Sequence, residues 1–104
     1  MIDQSRMEAA LEFLADSDIP FAEAKTSVLR AEILAKRTRA RVYVGEEGAV
    51  ELRKAKVEGF PEVIHADDEF CKATLEFETL KARRSRAEIV IEVWRSIEAS
   101  RRKT

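Results

Sequence analysis

Residues 88–94 read EIVIEVW, and the fold turns on whether they form a strand or a helix. Ile89, Val90 and Ile91 are three β-branched residues in a row, which suits a strand. Their surroundings do not. Arginines stand on both sides, at Arg83, Arg84 and Arg86 and again at Arg101 and Arg102, and no glycine or proline follows Pro61. A strand needs turn-makers at its ends, so the run is read as helix. Ala87, Ile91 and Trp94 then continue a heptad line that starts at Phe70 and passes through Ala73, Phe77 and Leu80, with Arg84 its one polar member. Val90, Val93 and Ile97 make a second stripe roughly 80–90° away, at ~100° per residue. One partner helix is therefore expected along the whole seam and a second only near Trp94.

The rest of the chain supplies both. Met7, Ala10, Leu11 and Leu14 recur at helical spacing within residues 3–16. SDIP (17–20) reads as a stop followed by a new start, with Asp18 as cap and Pro20 in a first turn. From there Phe21, Ala24, Val28, Ala31, Ala35, Thr38 and Val42 follow a 3–4 alternation of mostly small residues, which permits close helix packing. A second line, Ala22, Leu29, Ile33 and Ala40, flanks it. YVGEEGAVEL (43–52) fits either a β-hairpin or a loop followed by a short helix over 49–57. The loop and helix are preferred because an isolated two-stranded hairpin is marginal. Pro61 sits where a final helix over 61–102 would begin.

The expected architecture is a single all-α domain over residues 1–104. Long helices at about 19–44 and 61–102 form an antiparallel hairpin, with a short N-terminal helix making a three-helix end and another short helix after the glycine loop. Phe21, Val28, Phe70, Phe77, Leu80, Ile91 and Trp94 are its expected core. Charge supports the antiparallel sense. The formal charge is −1, yet residues 1–24, 25–56, 57–80 and 81–104 carry −5, +5, −6 and +5. Antiparallel pairing sets each basic block beside an acidic one, whereas parallel pairing does not.

The one cysteine cannot make an intrachain disulfide, no apolar run approaches a membrane span, and the acids near the N-terminus do not suit a signal peptide. The expected location is the cytoplasm, with no membrane partner and no cofactor. His65 and Glu69 are one helical turn apart, but Cys71 lies about 120° round from His65, so HADDEFC (65–71) does not converge on a metal. No nucleophile and base stand at a recognisable spacing. Arg83, Arg84, Arg86, Arg101, Arg102 and Lys103 form the candidate interaction surface. Direct nucleic-acid binding is the secondary reading, because acidic blocks offset the basic ones and the aromatics lie on the seam. Leu29, Ile33, Leu34, Leu75 and Phe70 add apolar surface beyond one seam, which predicts a homodimer forming a four-helix bundle.

Three stretches, FLADSDIPFAEAK (13–25), EEGAVELRKAKV (46–57) and LKARRSRAEIVIEVWRSIEASRRK (80–103), resemble a family of small phage and prophage proteins of unknown function. The shared pattern pairs an early acidic D-x-P with a later I-E-x-W-R-S and A-x-R-R. The resemblance implies a temperate-phage origin, in genes that often lie near those for recombination and single-strand-DNA-binding proteins. The expected function is thus a non-enzymatic accessory protein that binds an unidentified protein of recombination, replication or host defence.

Overall fold

A computed structural model describes residues 2–103. Among these residues there are three helices and no strand: α1 (Gln4–Val44), α2 (Val50–Glu58) and α3 (Pro61–Lys103). The two long helices pack against each other as a hairpin with α2 between them. Residues 88–94 lie within α3, so the EIVIEVW run is helical.

Each helix begins where local chemistry allows. Asp3 caps α1: its carboxylate accepts the Arg6 amide at 2.8 Å and its carbonyl accepts the Met7 amide. At the far end the Gly45 and Glu46 amides bond back to Val42 and Tyr43. Gly48 then adopts φ 113°, a conformation that residues with a Cβ rarely hold, and turns the chain into α2. The loop-and-helix reading of 43–57 is correct, and residues 45–49 pair with no strand. At the end of α2 the Gly59 amide donates to Lys56 and the Phe60 amide to Val57, and Pro61 takes the first position of α3, where its missing N–H costs nothing.

The N-terminal end differs from expectation. Residues 3–16 and 19–44 are not two helices, because α1 runs unbroken through SDIP with Pro20 inside it. The three-helix end is therefore absent. Proline in a helix interior forfeits one hydrogen bond and crowds the preceding turn, at about 3 kcal/mol. Here tertiary bonds to that turn, described below, offset the cost.

Contacts gather the chain into two compact units, Met1–Glu23 with Glu78–Thr104, and Ala24–Phe77. In the first, Met7 and Ala10 of α1 pack on Ala87, Val90 and Ile91 of α3, with Ile2, Phe13, Leu14 and Trp94 around them. Trp94 is thus an anchor of this core, covered by one helix rather than two. Of the stripe expected to meet a third helix, Val90 is buried by α1, Ile97 is half-buried and Val93 stays 40% exposed. In the second unit Val42, Val57 and Val63 form a core drawn from all three helices, joined by Tyr43 and Phe60.

The predicted seam is otherwise the observed one. Every residue in both heptad lines is buried or half-buried. Among the expected core, Ile91 is buried and Phe21, Val28, Phe70, Phe77, Leu80 and Trp94 are half-buried, as suits helices packed on one side. Thr38 and Thr74 return their hydroxyls to the carbonyls of Leu34 and Phe70, so neither leaves a polar group unpaired in the seam.

Continuity through Pro20 has a measurable consequence. Pro20→Ala should raise stability by about 1–3 kcal/mol, read as a higher urea midpoint. A break at SDIP would instead leave the midpoint unchanged or lower it.

Candidate interaction surface

The arginine-rich segment of α3 is split by helical geometry. Arg84 points inward, with its side chain 16% exposed. Its Nη1 donates to the Leu14 carbonyl at 2.9 Å and to Ser17 Oγ at 2.6 Å, and its Nη2 donates to Asp18 at 2.7 Å. The guanidinium also lies 4.9 Å from the Phe21 ring centroid. The polar residue in the seam is therefore a clasp on the turn of α1 just before Pro20, and its donors are committed within the chain.

Arg83 and Arg86, the neighbours of Arg84, are exposed. Together with Arg6 of α1 they rim a groove of about 280 Å³ whose floor is Ala9, Ala10, Phe13, Ala87 and Val90. No acidic side chain lines it. Arg83 lies 5.0 Å from the Phe13 centroid, which holds it over the floor by a cation–π contact. Arg6 was absent from the residues singled out in the sequence. Its one signal there is that it is the only base among residues 1–24. Three guanidiniums above a floor of small apolar residues can bind carboxylates in the bidentate geometry that arginine favours.

Arg101 pairs with Glu98 at 3.0 Å one turn away. Arg102 and Lys103 are exposed in the last turn of α3, where positive charge complements the helix dipole. The six residues expected to act together are thus divided among a clasp, a groove and a helix end.

A second clasp closes the other unit. Arg39 of α1 donates Nε and Nη2 to Glu58 of α2 at 2.8 and 3.0 Å, and Nη1 to Asp67 of α3 at 2.8 Å. Its Nη2 also reaches Asp67. One guanidinium therefore joins three helices. The hydrogen bonds to Glu58 and Asp67 push Arg39 above its ordinary pKa, and the bonds from Arg39 hold the Glu58 carboxyl below its ordinary 4.5. Both clasps join blocks of opposite charge, as the block pattern requires.

His65 and Glu69 line a separate groove with Arg30 and Lys72, and Cys71 is exposed and free. Among the described residues no three His, Cys, Asp or Glu gather as metal ligands, and no helix is long and apolar enough to cross a membrane. Comparison with protein-family models, curated proteins and solved structures finds no match to the chain.

Arg84→Lys should cost about 1–3 kcal/mol in urea unfolding, since a lysine ammonium cannot hold all three acceptors at once. An unchanged midpoint would refute the clasp. The Glu58 carboxyl, titrating lower in the folded chain than in the unfolded one, stabilises above about pH 5 and loses that effect as pH falls through its depressed value. The Tm gap between the native chain and Glu58→Gln should therefore be widest near neutrality and close in acid. A gap independent of pH would contradict this.

Proposed function

We propose that the chain is a non-enzymatic accessory protein that acts by docking on a partner protein in the bacterial cytoplasm. Its resemblance to phage and prophage proteins points to recombination, replication or host-defence machinery as the setting. The observation that carries the reading is the groove between Arg6, Arg83 and Arg86. Its arginines form no ion pair within the chain, among the described residues, and its floor is apolar. That combination suits an acidic segment bearing a small apolar anchor. Carboxylates would supply orientation and on-rate, and the anchor would supply buried area.

Nucleic acid is the second reading, favoured by Arg101, Arg102 and Lys103 at the end of α3. Affinity for a phosphate backbone needs a continuous positive field. Here Arg39 and Arg84 are neutralised by carboxylates and the net charge is −1.

Fluorescence anisotropy separates the two. An acidic peptide ending in leucine or phenylalanine should bind, and Arg83→Glu with Arg86→Glu should weaken it at least about tenfold. Single- and double-stranded DNA at low salt should bind more weakly than the peptide. A peptide that fails to bind, or DNA that binds more tightly, overturns the protein-docking reading.

A further inference from the structure

The outward side of α1 carries a second apolar line that the hairpin does not use. In the first unit Leu11 and Ile19 are 46% and 71% exposed, and in the second Leu29 and Ile33 are 52% and 47% exposed. Ala15, Ala22 and Ala40 are exposed as well. These positions advance in steps of three, four or seven along the helix, roughly 140° round from the core seam at ~100° per residue. Scattered exposed leucines are ordinary on a soluble protein. A heptad-spaced line over most of a 41-residue helix is the pattern of a coiled-coil face. It lies on a different side of α1 from the arginine groove, so it is independent of the docking proposed above.

Charge identifies the occupant. One flank of the line carries Glu12, Asp16 and Glu23 in the first unit, then Arg30, Arg37 and Arg41 in the second. Among the described residues none of the six forms an ion pair within the chain, whereas Arg39 and Arg84 both do. We infer that this face of α1 pairs with the same face of a second copy, running antiparallel about a two-fold axis near Thr26. In that register Glu12 meets the second copy's Arg41, Asp16 meets Arg37 and Glu23 meets Arg30, all three pairs centred between residues 26 and 27. The apolar line matches about nearly the same point. Leu11 faces Ala40 and Leu29 faces Ala22, large against small, while Ile19 faces Ile33. In each half of the contact, the first unit of one copy meets the second unit of the other. Parallel pairing would instead set this flank against the opposite flank of the second copy, so that these six charges would not meet one another.

Sedimentation equilibrium of the whole chain should give a dimer at micromolar concentration. Glu12→Arg, Asp16→Arg and Glu23→Arg together should raise the dissociation constant at least about tenfold. Mixing that variant with one carrying Arg30→Glu, Arg37→Glu and Arg41→Glu should restore a dimer. Circular dichroism reports whether each variant remains helical, which the exposed positions predict. Direction is read in a Cys71→Ser background with a short bismaleimide. Thr26→Cys should cross-link across the axis and Leu11→Cys should not. A monomeric native chain, a charge-reversed flank that still dimerises as tightly, or a Leu11→Cys cross-link as strong as that at position 26 would overturn the proposal.

Discussion

The guanidinium of Arg84 meets α1 on the turn that Pro20 weakens, and the first unit depends on that meeting. Interior proline costs about 3 kcal/mol, enough on its own to make SDIP a helix boundary. Hydrogen bonds from a charged donor to largely buried acceptors are worth about 1.5–3 kcal/mol each. Arg84 makes two such bonds, to Leu14 and Ser17, and a third to the more exposed Asp18. The sums are comparable, so the helix continues. Phe21, one residue beyond the proline, receives the face of the same guanidinium, and Ser17 adds a bond of its own to the Leu14 carbonyl.

Arg39 performs the corresponding task in the second unit, with carboxylates rather than backbone as acceptors. It reaches one acid on α2 and one on α3, and so holds the short helix against both long ones. A nine-residue helix is marginal by itself. Val57, its one buried residue, packs on Val42 and Val63, and the Glu58 bond fixes the end that carries it. Arg53 adds a stacked contact, 4.1 Å from the Tyr43 centroid. Arginine thus supplies much of the joining that larger cores obtain from leucine and phenylalanine, in keeping with a seam built from alanine, threonine and valine.

The same residue type has two fates within four positions of α3. Arg84 faces α1 and is consumed by structure, while Arg83 and Arg86, three residues apart on one side of that direction, keep their charge at the surface. A cluster of basic residues on a helix is for this reason not a single surface. Rotation of ~100° per residue distributes it, and only the members flanking the packed face remain to bind another molecule. Arg6 joins them because α1 brings it alongside from the other end of the chain.

Sequence by itself determined the helical class, the heptad seam, the antiparallel sense and the loop-and-helix at 43–57. Each of these follows from periodicities and charge blocks that are local or summed over many residues. The continuity of α1 was decided only in three dimensions. Its proline gives the same local signal whether a helix starts or is merely interrupted, and the deciding bonds come from Arg84, more than sixty residues away. The groove was hidden for the same reason, since Arg6 and Arg86 share it only once α1 and α3 are packed. Val93 shows the converse: its apolar character suggested a third helix, and the absence of one left it at the surface.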